Sequence, residues 1–220
     1  MKTPQNEIES IGDIIKRIKE IRKPTNTNPT TPEAIDFSTV QNVYFDKYKL
    51  EVEKRAKNFE KLPQNSDKIV SYIIDMLTYK AYESKNKPWL WLTGYVGNGK
   101  TTSARALQQT FAQVSNKNAF KMYEAVEIAQ IYEQKDHFNF NTLLKCNFLI
   151  IDDMGVEVNL NKKQHAIAEV LYYRYKMMLP TVITTNLTRD QIKQIYDERI
   201  FDRMEELSTK IVFAEKSYRR

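Results

Sequence analysis

The chain is poor in the residues that build disulfide frameworks and zinc sites. Its 220 residues include one cysteine and two histidines: Cys146, His137 and His165. A single cysteine excludes an internal disulfide, and the three side chains match no familiar zinc-binding spacing. Cys146 lies in the apolar stretch LLKCNFLI, which predicts an ordinary core position for its thiol.

Long hydrophobic runs are missing as well. No apolar run approaches the roughly 20 residues that a membrane-spanning helix needs, and the first residues, MKTPQNEIES, have no apolar signal-peptide core. We therefore expect a cytoplasmic protein. Its hydrophobic content of 41% is enough for one ordinary core. The net charge of +6 suits a polyanionic partner such as nucleic acid, although it also suits many other cytosolic proteins.

The sequence predicts three short segments before one main domain. Residues 1–23 contain isoleucines at helical spacing among lysines and arginines, which predicts an amphipathic basic helix that docks on a partner. Residues 24–33, PTNTNPTTPE, predict a flexible linker. Residues 34–64 are highly charged and predict a helical connector that Pro63 ends. Residues 65–220 are expected to form the main domain.

From Ser66 onward, helical and strand patterns alternate. The predicted strands are PWLWLTG, AFKMY, NFLIID, PTVITTN and TKIVFA, and the predicted helices lie near residues 66–84, 100–114, 124–135, 161–178 and 188–207. Strands that are apolar throughout and alternate with helices are typical of parallel sheets covered on both faces. We therefore expect an α/β fold with a five-stranded parallel sheet flanked by helices, and a site at the carboxyl ends of the strands.

Glycine is scarce, and three of the chain's five glycines stand close together in the stretch LTGYVGNGKTT. This stretch fits the pattern G-x-x-x-x-G-K-[ST] between a predicted strand and a predicted helix. Such a loop needs glycine because it adopts positive φ angles and brings backbone N–H groups against phosphate oxygens at a helix N-terminus. The alternative is a glycine turn that only caps a helix. The pattern predicts a phosphate-binding loop, with Lys100 on the β- and γ-phosphates, formed by Gly94, Tyr95, Val96, Gly97, Asn98, Gly99, Lys100, Thr101 and Thr102.

A pair of carboxylates follows the third predicted strand, in FLIIDDMG. Two acids at the end of a buried strand repel each other unless a cation is near them. We expect Asp152 to hold Mg²⁺, partly through water, together with the Thr101 hydroxyl. Asp153 is expected to polarise the attacking water. An exposed acidic turn after an ordinary strand is the alternative.

Two further motifs carry groups suited to phosphate chemistry. Asn186 ends the strand in VITTNL, where its amide is placed to orient water against a γ-phosphate, although an asparagine there is usually a turn residue. Arg199 and Arg203, in ERIFDRMEE, are four residues apart and share one helix face. They are candidates for an arginine finger in a neighbour's nucleotide site. Pairing with Glu198 and Asp202 is the alternative.

In this order, GYVGNGKTT, FLIIDDMG, VITTNL, ERIFDRM and the terminal SYRR resemble the AAA+ ATPases of the DnaC/DnaI helicase-loader and IstB transposition-helper group, over about residues 62–220. The resemblance implies an ATP- and Mg²⁺-dependent switch that self-associates side by side, with Arg203 as the finger and Arg199 as its support. Members of this group bind single-stranded DNA and load a ring-shaped replicative helicase, or help a transposase choose its target. They lack the helical C-terminal lid of other AAA+ proteins, and the same is expected here.

The N-terminus departs from this pattern. Loaders of the DnaI type carry an N-terminal cysteine-rich zinc module, whereas this chain has no cysteine before Cys146. A partner contact at this end is therefore expected to use the isoleucine-rich helix 8–22. The DNA-contacting residues are harder to place. The mix of aromatic and basic side chains at 171–178 suits base stacking and phosphate contact, but burial of one face of that helix against the sheet is the favoured interpretation. The candidates are Arg174 and Lys176 in LYYRYKMM, Lys117, Lys121 and the basic face of residues 16–23.

Three functional hypotheses follow from these motifs. The first is an ATP-dependent helicase loader that binds single-stranded DNA, and the second is a regulator of a transposase with the same ATPase core. The third is a P-loop kinase for a small metabolite, which would be monomeric and would need an acceptor-binding lid. The double acid, Asn186 and the arginine pair favour water activation at shared sites over the kinase.

Overall fold

The computed structural model describes residues 36–55, 59, 61–63, 65–115, 119–159 and 164–214. The expected basic helix of residues 1–23, the linker 24–33 and the terminal SYRR therefore lie outside the described residues. Within the described part, no helix combines the length and the apolar character that crossing a bilayer requires.

Helices and strands alternate along the described chain. The helices are α1 (Phe37–Glu53), α2 (Ser66–Leu77), α3 (Lys100–Ser115), α4 (Ala125–Glu133), α5 (His137–Lys145), α6 (Gln164–Lys176), α7 (Arg189–Tyr196) and α8 (Glu198–Leu207). The strands are β1 (Trp89–Gly94), β2 (Lys121–Glu124), β3 (Leu149–Met154), β4 (Thr181–Thr185) and β5 (Ser208–Phe213). A short 3₁₀ helix, Val156–Asn159, follows β3.

The five strands form one parallel sheet in the order β2-β3-β4-β1-β5. At the amino edge, Trp89 pairs with Thr181 of β4 and with Ser208 of β5. At the carboxyl edge, Gly94 pairs with Phe213, and the ends of β3 and β4 lie beside them. The predicted α/β fold with a five-stranded parallel sheet is therefore confirmed.

Helices cover both faces of the sheet, and its central strands β1, β3 and β4 are buried almost throughout, whereas the edge strands β2 and β5 are partly exposed. Trp89 and Trp91 of β1 pack into a core with α4, α5, α6, α7 and α8. Leu90 and Leu92 point the opposite way, into a core with α1, α2 and α3, since side chains alternate along a strand. This packing leaves the carboxyl edge of the sheet as the place where polar groups converge.

Two predicted helices differ from the structure in length or continuity. The helix expected at 66–84 ends at Leu77, because the hydroxyls of Tyr79 and Tyr82 donate to carbonyls at the end of α6 and turn this segment towards that helix. The helix expected at 188–207 is two helices, α7 and α8. They are separated at Asp197, whose φ of 82° ends α7 and whose carboxylate caps α8 by accepting from the Ile200 N–H.

Helix α5 was not predicted, because its sequence, HFNFNTLLK, is rich in residues with low helix propensity. Its cap compensates: the Asp136 carboxylate accepts from the Asn139 N–H at 3.1 Å. Phe140, Leu143 and Leu144 then bury one side of the helix in the core. Tertiary burial and one capping carboxylate outweigh the local propensity here.

Arg174 is a buried structural residue, so the favoured interpretation of this segment, burial against the sheet, is confirmed for Arg174, and Arg174 is not a DNA contact. Its side chain is 0% exposed, and its guanidinium donates to the Thr181 hydroxyl and to the carbonyls of Leu144, Cys146 and Pro180. Burial lowers the pKa of this guanidinium. The helix buries this side against the sheet, whereas Lys176, two residues later, is exposed.

Candidate functional site

The glycine-rich segment forms a loop between β1 and α3, at the carboxyl edge of the sheet. Gly97 and Gly99 have φ angles of 88° and 92°, in the left-handed region that favours glycine. The Tyr95 and Val96 side chains at the loop tip are 82% and 55% exposed. The loop therefore has the strand–turn–helix position that the phosphate-binding pattern requires.

The last residue of β5 supports this loop from one side. A Cβ atom on Gly94, whose φ is 141°, would stand 2.3 Å from the carbonyl oxygen of Phe213. That carbonyl also accepts a hydrogen bond from the buried Asn98 side chain, with 2.7 Å between Nδ2 and the oxygen. The close approach explains why the first position of the motif is glycine.

The Lys100 ammonium lies inside the loop. Its Nζ donates to the carbonyl oxygens of Gly94 and Tyr95 at 2.8 and 2.7 Å, and the residue is 4% exposed. A phosphate oxygen carries more negative charge than a carbonyl oxygen, so it would compete well for this ammonium. The geometry therefore suits binding of a phosphate group at the loop.

The first carboxylate of FLIIDDMG meets the loop directly. Oδ1 of Asp152 accepts hydrogen bonds from the Thr101 hydroxyl at 3.0 Å and from the Thr184 hydroxyl at 2.6 Å, and Asp152 is 1% exposed. Carboxylate and hydroxyl oxygens are the kind of donor atoms that Mg²⁺ prefers. The predicted pair, Asp152 and Thr101, thus comes together at one point and fits a magnesium ion.

The second carboxylate has a different environment. Asp153 is half-buried and adopts a φ of 52°, and its backbone N–H donates to the Thr184 hydroxyl at 2.8 Å. The left-handed turn breaks the strand register after Ile151 and separates the directions of the two acids. Strand β4 lies between β3 and β1, so the acids reach the loop across an intervening strand.

The other predicted residues lie apart from this cluster or at its rim. Asn186 is exposed and directly follows β4. Arg199 is exposed on α8, and Arg203 lies over two tyrosine rings of α6, 4.4 Å from the centroid of Tyr172 and 4.9 Å from that of Tyr175. Glu198 forms an ion pair with Lys193 of α7 rather than with these arginines.

Sequence reasoning missed two residues of this region. Thr184 links both acids, and its signal was a run of threonines, VITT, at the end of an otherwise apolar strand. Arg55, just after α1, donates to the hydroxyl of Thr102 in the first turn of α3. No sequence pattern marks Arg55, because this contact joins residues 47 positions apart.

Comparison with known proteins gives one family. The model of the family described as IstB-like ATP binding protein matches residues 43–220. No curated protein matches the chain.

Several solved structures share the fold. The crystal structure of the DnaC helicase loader is 20% identical with a TM-score of 0.57, and the similarity covers 70% of this chain and 93% of that one. The crystal structure of DnaI is 20% identical with a TM-score of 0.58, over 73% of this chain and 88% of that one. The replication initiator DnaA bound to AMPPCP and single-stranded DNA is 17% identical with a TM-score of 0.52, over 68% of this chain and 47% of that one.

Proposed function

Because the chain belongs to the family of IstB-like ATP binding proteins, we propose that it is an ATPase of the helicase-loader type. In this proposal it binds ATP, Mg²⁺ and single-stranded DNA, and it delivers a replicative helicase. The observation that carries the proposal is the contact between Thr101 and Asp152, which joins the phosphate loop to a buried carboxylate. The DnaC helicase loader and the nucleotide- and DNA-bound DnaA have the same fold, which supports it.

Each part of the loop has a role in nucleotide binding. The backbone N–H groups of the loop and of the first turn of α3 bind the phosphates, favoured by the helix dipole. Lys100 exchanges its two carbonyl partners for phosphate oxygens. Arg55, through its contact with Thr102, adds a positive charge beside the same turn. Lys100 and Arg55 are held beside the loop by these contacts before ATP binds.

Asp152 and Asp153 have different roles in the proposed hydrolysis. Thr101 and Asp152 would hold Mg²⁺, which would supply positive charge to offset that of the phosphates. Asp153, more exposed than Asp152, polarises the attacking water, and Asn186 orients it. Thr184 keeps both acids in position, since its hydroxyl contacts the side chain of one and the backbone of the other.

The arginines of α8 act in a neighbouring copy of the chain. Arg203 is half-exposed and held by two aromatic rings of α6, and Arg199 is exposed on the same helix face. An arginine presented on a surface suits insertion into an adjacent nucleotide site, where it stabilises the charge of the transition state. The chain would then self-associate head to tail, with each ATP site shared by two copies.

Mixing two inactive variants tests this sharing. Asp153→Asn is expected to bind ATP without hydrolysing it, and Arg203→Ala to lose most of its turnover. In a random equal mixture, about a quarter of head-to-tail interfaces combine an intact Asp153 with an intact Arg203, so about a quarter of the wild-type hydrolysis rate should return. The rate of phosphate release in the steady state measures the recovered hydrolysis. Failure to recover activity at every mixing ratio would mean that Arg203 does not act between copies.

A basic, aromatic cleft supports the proposed contact with single-stranded DNA. The cleft, of about 560 Å³, lies beside the edge strand β2, at the opposite end of β3 from the acids. It includes one of the lysines expected to meet DNA, together with Lys145 and the 80% exposed ring of Phe138. Its lining residues are Ala119, Lys121, Phe138, Asn141, Thr142, Lys145, Cys146, Asn147 and Phe148. Stacking on an aromatic ring beside lysines suits single strands of any sequence.

The rate of ATP hydrolysis with and without oligothymidine tests the proposed function. We expect DNA to raise the rate, the effect to grow with protein concentration, and added salt to weaken it, since each lysine on a phosphate releases a counterion. The double variant Lys121→Gln/Lys145→Gln should need about tenfold more DNA for half-maximal stimulation. The control is Lys49→Gln/Lys80→Gln, which removes two exposed lysines that pair with glutamates outside the cleft. A rate that ignores both DNA and protein concentration would refute the proposal.

A transposase regulator is the second candidate function. The matched family model carries the IstB description and favours it, and the ATPase core is the same in both cases. Co-purification of the full chain with a replicative helicase, compared with a transposase, distinguishes the two partners.

A further inference from the structure

A buried acid follows the carboxylate loop (residues 152–155, where β3 ends) and takes no part in the chemistry described above. Glu157 is 0% exposed, although it lies only four residues after Asp153. Its Oε2 accepts from the backbone N–H of Gly155 at 2.8 Å, and its Oε1 accepts from the hydroxyl of Tyr196. Burial raises the pKa of Glu157. A carboxyl group is seldom buried so completely unless its donors are part of a defined arrangement.

Tyr196, the partner of Glu157, lies at the junction between α7 and α8. Tyr196 is 3% exposed and is the last residue of α7, directly before Asp197. Asp197 both ends α7 and caps α8, the helix that carries Arg199 and Arg203. Tyr196 therefore precedes Arg199, the first of the two arginines, by three residues in the sequence.

The carboxylate loop is also fixed to the loop after β4. The Thr185 hydroxyl donates to the carbonyl of Met154 at 2.6 Å, and a Cβ atom on Gly155 would stand 2.6 Å from Leu187. The end of β3 is therefore joined to β4 by the Thr185 hydrogen bond and to the end of α7 through Glu157 and Tyr196.

Resting on the proposed ATPase function, we propose that Glu157 and Tyr196 are positioning residues that join the carboxylate loop to the α7–α8 junction. Through this hydrogen bond, the loop that holds Asp152 and Asp153 in one site sets the orientation of Arg199 and Arg203 towards the next copy. Neither residue touches the nucleotide. Glu157 and Tyr196 affect the rate of ATP hydrolysis only by orienting Arg199 and Arg203. A general contribution to the stability of the fold would not depend on these arginines.

The variant Tyr196→Phe in the full chain tests the proposal, because it keeps the ring in the core and removes only the hydroxyl. We expect ATP hydrolysis per chain to fall about tenfold with no change in ATP affinity, as measured by titration with a fluorescent ATP analogue. The protein concentration that gives half-maximal turnover should rise. In an Arg199→Ala/Arg203→Ala background the same change should have no further effect on turnover, because both residues through which it acts are already gone.

Tyr72→Phe is the matched control. Tyr72 is also 3% exposed, and its hydroxyl donates to the carbonyl of Pro88 at 2.8 Å, at the amino edge of the sheet. Both variants lose one buried tyrosine hydroxyl, so both should unfold at a slightly lower temperature. Only Tyr196→Phe should change turnover and its dependence on protein concentration.

The outcomes separate this inference from the proposed function. Wild-type turnover in Tyr196→Phe, or an effect that multiplies fully with that of Arg199→Ala/Arg203→Ala, overturns the positioning role. A wild-type chain without any hydrolysis refutes the ATPase proposal instead. In that case ATP-dependent self-association, measured by sedimentation, decides: weaker association of Tyr196→Phe at equal ATP affinity supports the inference, and equal association of both chains overturns it.

Discussion

Lys100→Ala is expected to lower the affinity for ATP about 100-fold or more, which corresponds to about 2.7 kcal/mol. The variant removes the only charged group of the loop, and hydrogen bonds from a charged donor to phosphate are among the strongest in proteins. Isothermal titration with ATP and Mg²⁺ measures the change. Hydrolysis should be lost together with binding.

Lys87→Ala is the control for this prediction. Lys87 also donates to two backbone carbonyls, those of Glu205 and Ser208, but it precedes β1 at the opposite edge of the sheet. Its removal tests whether losing such a lysine disturbs nucleotide binding by a general effect on the fold. If Lys100→Ala and the wild-type chain bound ATP with equal affinity, the assignment of this loop as the phosphate-binding site would be wrong.

Arg174→Met is expected to lower the free energy of unfolding by about 3 kcal/mol, a large part of the 5–15 kcal/mol typical of a domain. The methionine fills part of the space but leaves the carbonyls of Leu144, Cys146 and Pro180 buried without their donor. These groups belong to the end of α5 and to the segments that lead into β3 and β4. Urea unfolding followed by circular dichroism measures the loss.

Two further variants give this prediction its controls. Arg174→Lys keeps the positive charge but not the planar fork, so it should also be destabilised, by less than Arg174→Met. Lys176→Met removes an exposed charge from the same helix and should change stability by less than about 0.5 kcal/mol. If Arg174→Met were as stable as Lys176→Met, the guanidinium would not be holding the strand ends together.

Much of the fold could be predicted because its signals are local. The five strands lie where apolar stretches predicted them, since a strand buried on both faces needs an uninterrupted apolar sequence. The phosphate-binding pattern lies where expected, between β1 and α3, because glycines that permit positive φ must be contiguous in sequence with the loop they form. The roles of Asp153, Asn186 and the arginines stay predictions.

Other features could not be predicted because they depend on contacts between distant residues. The helix expected at 188–207 is broken at Asp197, whose φ of 82° ends α7 and whose carboxylate caps α8. For LYYRYKMM, the sequence favoured burial of one helix face over a DNA contact, but it did not show which basic side chain is buried; the position of α6 on the sheet buries Arg174. Helical periodicity cannot show which of two basic side chains points inwards, because the carbonyl groups that accept hydrogen bonds from the buried one belong to other parts of the chain.

The sequence by itself determined the α/β fold class, the phosphate loop and the acids at the end of β3, because each of these is written in consecutive residues. Only the tertiary structure decided the strand order that places β4 between the acids and the loop. It also decided the partners of Asp152, the burial of Arg174 and the link between Glu157 and Tyr196. The physical reason is that the hydrogen bonds in these cases join residues 6 to 51 positions apart, and no local pattern encodes such pairs.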